Sequence, residues 1–127
     1  MNEDAAKSIS PLMEEHIAAE LKNIEVSKGV RVLYACESGS HAWGFASENS
    51  DYDVRFIYVH ELEWYLRLEQ VRDVIEWKLD EVLDINGWDL SKALRLMRAS
   101  NPTIFEWLNS PIVYREIDAF SAPKELS

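Results

Sequence analysis

Two aspartates, Asp51 and Asp53, stand one residue apart at the head of the run DYDVRFIYV, and that placement governs what the rest of the chain can build around it. Beyond Asp53 the run is nearly continuous in apolar and β-branched residues, the composition of a strand at the centre of a sheet. Alternation along a strand sends Asp51 and Asp53 to one face and Tyr52 and Val54 to the other. Two parallel carboxylates on a rigid strand suit a divalent cation. Magnesium takes hard oxygen ligands in near-octahedral geometry and completes its shell with water and substrate phosphate oxygens, so a pair of protein carboxylates suffices when a nucleotide supplies the rest. Upstream, the strand-like run at residues 30–36 leads into Gly39-Ser40. Gly39 lacks a Cβ that would keep a phosphate from the backbone, and Ser40 offers a hydroxyl and a backbone N–H at the start of a short helical turn.

The order Gly39-Ser40, ten residues at 41–50, then Asp51-Tyr52-Asp53-Val54 resembles the signature of the polymerase-β-like nucleotidyltransferase superfamily. The longer wording ESGSHAWGFASENSDYDVRFIY, with DINGWDLSKAL and SPIVY downstream, is similar to a bacterial and phage branch of predicted nucleotidyltransferases, some of which accompany RNA-repair ligases. Ser38 departs from the general pattern, which prefers an apolar residue before the glycine. The resemblance implies Mg²⁺ or Mn²⁺ held by Asp51, Asp53 and a third acid, with a nucleoside triphosphate as donor. It also implies transfer of a nucleoside monophosphate to a hydroxyl acceptor with release of pyrophosphate. That acceptor is left open between an RNA end, a protein hydroxyl and a small molecule. Members of the branch are usually longer, so the resemblance also implies a chain that stops short at its C-terminal side, with an exposed apolar face or a homodimer as the consequence.

The third acid has to come from the region after the aspartate strand. Residues 71–77 and 81–85 read as two short strands, the second ending at Asn86-Gly87. Asp84, between Leu83 and Ile85, resembles the superfamily's third acid on a neighbouring strand. Asp73 and Glu76 are rivals, because a one-residue slip in register reverses the face each acid takes. Arg55 and Lys92 are the expected counter-charges to the triphosphate, with Arg95 as an alternative to Lys92.

Around this core the expected fold is a single α/β (α+β) domain spanning 1–127, a small mixed β-sheet with helices packed on it. Ser10-Pro11 opens a helix over 10–28 with Met13, Ile17, Leu21 and Ile24 inward and Gly29 at its end. The catalytic core runs over 30–86. Asp89 caps a helix with Leu90, Ala93, Leu94 and Met97 inward, and Asn101-Pro102 starts another with Ile104, Phe105 and Leu108 inward, so that helices fill 89–110. Residues 118–127 read as a frayed tail.

Bulk properties narrow the alternatives. At 127 residues with 47% hydrophobic content, the chain can bury one core. A formal net charge of −10 argues against non-specific binding to a nucleic-acid backbone, which depends on Lys and Arg displacing counterions. Cys36, the single cysteine, rules out an intrachain disulfide and favours a reducing compartment. The N-terminus has no basic and apolar leader and no run approaches a bilayer span, so a cytoplasmic protein without membrane contact is expected. His16 and His60 lack the spacing of a zinc site, and His41 beside Ser40 lacks the geometry of a nucleophile elbow. Two other functions stay open on the residues: an Asp-x-Asp glycosyltransferase, and a non-catalytic module that binds a nucleotide or a protein.

Overall fold

The computed structural model describes residues 10–39, 52–67, 72–78 and 82–117. Its elements in chain order are α1 (Pro11–Lys28), β1 (Val30–Glu37), β2 (Tyr52–His60), α2 (Leu62–Tyr65), β3 (Val74–Lys78), β4 (Leu83–Asp89), α3 (Leu90–Arg98), α4 (Pro102–Leu108) and β5 (Val113–Glu116). The strands form one sheet in the order β3-β4-β2-β1-β5. β2 pairs with β4 in parallel, while β1–β2, β1–β5 and β3–β4 are antiparallel. This is the mixed α+β architecture expected, with the aspartate strand at its centre.

Local chemistry starts and stops α1 where the sequence indicates. The Ser10 hydroxyl accepts from the Met13 N–H at 3.2 Å, Pro11 occupies the first turn, and Gly29 closes the helix at φ 65°. Ile17, Leu21 and Ile24 are fully buried against Val32, Ala35, Val54, Phe56, Tyr58, Leu83 and Ile85. A second cluster joins Tyr34, Cys36 and Ile57 to Ala93, Ile104 and Trp107. Val54, Phe56 and Tyr58 alternate with Ile57 along β2, so the two clusters occupy opposite faces: α1 covers one, α3 and α4 the other. A register shift in β1 between Val32 and Tyr34 lets the strand feed both.

Two expectations are corrected. Asn86-Gly87 does not end a strand; β4 runs through it to Asp89, taking the sheet beyond residue 86. Gly87 lies opposite Phe56 in register, and a Cβ there would collide with the Phe56 ring. The glycine therefore makes room for a neighbouring strand's side chain instead of making a turn. The inward faces of the last two helices also differ. Leu94 is 54% exposed and Met97 36%, while Ala93 is buried and Leu96 half-buried. α3 is short and fixed at its start by the Asp89 carboxylate, which accepts from the Ser91 N–H at 2.8 Å, and its small Ala93 meets the sheet, turning the buried side towards Leu96. In α4 Phe105 is 41% exposed and Trp107 is buried in its place. The Trp107 ring stacks on Trp88 of β4 at 4.0 Å, and its carbonyl accepts from the Tyr34 hydroxyl at 2.7 Å, so partners on the sheet decide which aromatic turns inward.

Candidate active site

The parallel pairing of β2 with β4 brings Asp53 and Asp84 together as Cα partners. Asp53, Arg55 and Ile57 alternate onto the face that α3 and α4 cover, as do Asp84, Asn86 and Trp88. The helices pack over Ile57 and Trp88 on this face. At the other end the acids stay open, with 35% of the Asp53 side chain and 36% of the Asp84 side chain exposed. Arg55 lies between them. Its Nη2 is 3.5 Å from Asp84 Oδ2 and 3.9 Å from Asp53 Oδ1, while Nη1 donates to the Val54 carbonyl at 3.0 Å. Asn86 Nδ2 donates to Asp84 Oδ1 at 2.8 Å, which fixes the orientation of that carboxylate.

The end of β1 closes against the same residues. Ser38 N–H donates to the Asp53 carbonyl at 2.9 Å, so the residue that departs from the general pattern serves through its backbone. Gly39 follows, and a Cβ at this position would collide with the Asp53 carboxylate. The glycine is required by the acid it faces as well as by any phosphate. Glu37 is wholly buried: Oε2 accepts from the Asp53 N–H at 2.8 Å and Oε1 accepts from the Tyr114 hydroxyl at 2.8 Å. Burial first, and then the Glu37 carboxylate, push the Tyr114 hydroxyl far above its ordinary pKa and keep it a donor. Neither Tyr114 nor Glu37 stands out as a site residue from the sequence. The signal that could have found Glu37 is an acid at the end of an otherwise apolar strand.

The donor set suits a hard divalent cation. Asp53 and Asp84 present carboxylate oxygens side by side, and a guanidinium already sits where the pair attracts positive charge. Among the described residues no three His, Cys, Asp or Glu side chains form a cluster able to hold a metal, so the pair needs ligands from elsewhere. Asp51 and Ser40, expected as a ligand and a phosphate contact, lie outside the described residues.

The model of the RNA repair pathway DNA polymerase beta family matches residues 13–125. The chain belongs to this family. It is also 57% identical over 114 residues to the uncharacterized protein YcgL of Bacillus subtilis (strain 168), a match that covers 90% of this chain and 43% of that protein. The chain thus spans less than half the length of this curated relative. No solved structure matches it.

Within this family member, the rival third acids lie apart from Asp53. Asp73 takes Arg95 at 2.7 Å and gives its carbonyl to the Asp89 N–H at 2.8 Å, at the far end of β4. Glu76 is opposite Asn86 in register and pairs with Arg72 at 3.3 Å in solvent. Lys92 is not brought to the acids: its ammonium sits 5.8 Å from the centre of the Trp88 ring, four residues along β4 from Asp84. Cys36 is buried, lying opposite Arg55 across β1 and β2. Among the described residues no helix is long and apolar enough to cross a membrane.

Proposed function

We propose that the chain carries the catalytic residues of a metal-dependent nucleotidyltransferase, which moves a nucleoside monophosphate from a nucleoside triphosphate to a hydroxyl acceptor. The observation that carries this proposal is the register of β2 and β4, which sets Asp84 beside Asp53 with Arg55 between them. Asp51 joins Asp53 as a ligand at the triphosphate, and Asp84 serves the acceptor side. Mg²⁺ or Mn²⁺, when bound, supplies Lewis acidity for the phosphates and lowers the pKa of the acceptor hydroxyl.

Each remaining step belongs to the chain's own residues. The Gly39 backbone and Ser40 receive the terminal phosphates, where the missing Cβ of Gly39 permits close approach. Arg55, half-buried at the acids, turns its guanidinium to a phosphate oxygen as the acids take up their ligand. Asn86 holds Asp84 in orientation while the acceptor aligns. The acceptor oxygen bonds to the α-phosphorus as the bond to the bridging oxygen breaks, and pyrophosphate leaves. Lys92 joins the phosphates only if α3 approaches them, so Arg55 is the first counter-charge to test. The family description names an RNA repair pathway, which makes an RNA terminal hydroxyl the first acceptor to try.

The test is incubation with α-labelled triphosphates, Mg²⁺ or Mn²⁺ and a panel of RNA and protein acceptors, with pyrophosphate measured in parallel. Label on an acceptor, matched by pyrophosphate and lost in Asp53→Asn but kept in Asp73→Asn, is the expected result. Transfer that survives Asp53→Asn would refute the assignment.

A further inference from the structure

We propose that Glu37 is a positioning residue for Asp53, holding it through its backbone N–H, and that Tyr114 locks Glu37 in place from β5. This rests on the reading of Asp53 as a metal ligand. At Asp53 both backbone polar groups turn towards β1, because the carbonyl accepts from Ser38 N–H and the amide donates to Glu37 Oε2. β1 ends at Glu37, so a side-chain carboxylate takes the Asp53 amide where a ladder carbonyl would otherwise do so.

Satisfying one amide would need only a neutral acceptor. A wholly buried carboxylate is costly unless both oxygens are bonded, and here the second oxygen receives the Tyr114 hydroxyl at 2.8 Å. The Glu37 backbone is fixed as well. Its N–H donates to the Ile112 carbonyl at 3.0 Å and its carbonyl accepts from Ser110 Oγ at 2.6 Å. Glu37 therefore spans from the segment ahead of β5 to the first residues of β2, and it fixes the height at which the Asp53 carboxylate stands against Gly39. Such a partner behind a ligand sets the ligand's direction without touching substrate.

The test uses the full chain and three substitutions. Glu37→Gln keeps an oxygen for the Asp53 amide, Glu37→Met fills the same space without one, and Tyr114→Phe removes only the lock. Two quantities are read: Mn²⁺ affinity by electron paramagnetic resonance, and the chemical shift and hydrogen exchange of the Asp53 amide by NMR. Glu37→Gln should stay near wild type in both. Glu37→Met should lose Mn²⁺ affinity by about 10- to 100-fold, the usual cost of removing a ligand's supporting partner, with a faster-exchanging Asp53 amide and a cooperative melt. Tyr114→Phe should fall between.

A folded Glu37→Met protein with wild-type Mn²⁺ affinity would overturn the proposal, and so would a Glu37→Gln protein that loses as much as Glu37→Met. If Glu37→Met does not fold, an unchanged Asp53 amide and an unchanged affinity in Tyr114→Phe would overturn it. Absence of Mn²⁺ binding by the wild type would refute the reading of Asp53 as a ligand. The amide measurements would then decide by themselves whether Glu37 holds Asp53.

Discussion

Asp53 owes its usefulness to neighbours that carry no reactive chemistry, and Gly39 is the plainest of them. Because a Cβ there would meet the Asp53 carboxylate, Gly39→Ala should push the acid aside and destabilise the fold by about 1–3 kcal/mol, the usual range for overpacking. Chemical denaturation and Mn²⁺ titration should show both losses, and a variant with wild-type stability and affinity would contradict the close approach. At the opposite end of β2, His60 stacks on Trp64 at 3.6 Å and meets the edges of Tyr58 and Tyr65. Burial lowers the imidazole pKa from its ordinary 6.5, Asp89 pulls it partly back up, and Arg67 lowers it further. The folded state therefore binds this proton less readily than the unfolded chain. Stability from His60 is fully present above about 6.5 and is lost as pH falls below it. Thermal melts between pH 7.5 and 5.5 should fall less steeply for His60→Gln than for the wild type; parallel curves would contradict this sign.

At the scale of elements, periodicity served α1 and β2 well and the last two helices less well. Eighteen residues of α1, with a cap at each end, allow one inward stripe, and that stripe is the one buried. α3 has nine residues and α4 seven, so neighbouring stripes fit the same sequence and the sheet beneath selects between them. Trp88 selects Trp107 over Phe105, a long-range choice that local spacing does not encode. The same limit explains Asn86-Gly87, a turn signal by composition that lies within β4 because Phe56 needs the space. Gly39 and Asp53 could be named from the sequence because a Gly-Ser pair after a strand and an acid at a strand head are local signals, whereas the close approach of Gly39 to Asp53 is not. Asp84 became distinguishable from Asp73 and Glu76 only once the β2–β4 register was known. Glu37 escaped because its partner Tyr114 is remote in sequence. The corrected helix faces predict that Leu94→Ala and Met97→Ala change stability little, whereas Ile104→Ala should cost about 2–5 kcal/mol for a buried aliphatic residue. Chemical denaturation of the three variants checks this, and a large loss at Leu94 would contradict the orientation of α3.

For the molecule as a whole, a net charge of −10 sets the terms on which any RNA acceptor is met, since contact must come from local cations and weaken as salt rises. Leu94, Met97 and Phe105 leave apolar side chains exposed on α3 and α4, surface that the expected homodimer would cover. Sedimentation velocity should show association that rises with concentration and disappears in a Leu94→Ser, Phe105→Ser double variant; a concentration-independent monomer would count against it. The chain matches 43% of its Bacillus relative, so transfer by this chain and by a longer protein are separate measurements. In the proposed reaction Asp53 and Asp84 form one centre, in which Asp84 acts chiefly in the transition state. The most direct test is to measure, on Asp84→Asn, both metal-dependent triphosphate affinity and the transfer rate. Affinity is expected to stay close to wild type while kcat falls by about 10²-fold or more, as on loss of a group that works in the transition state. Undiminished transfer by Asp84→Asn would contradict it.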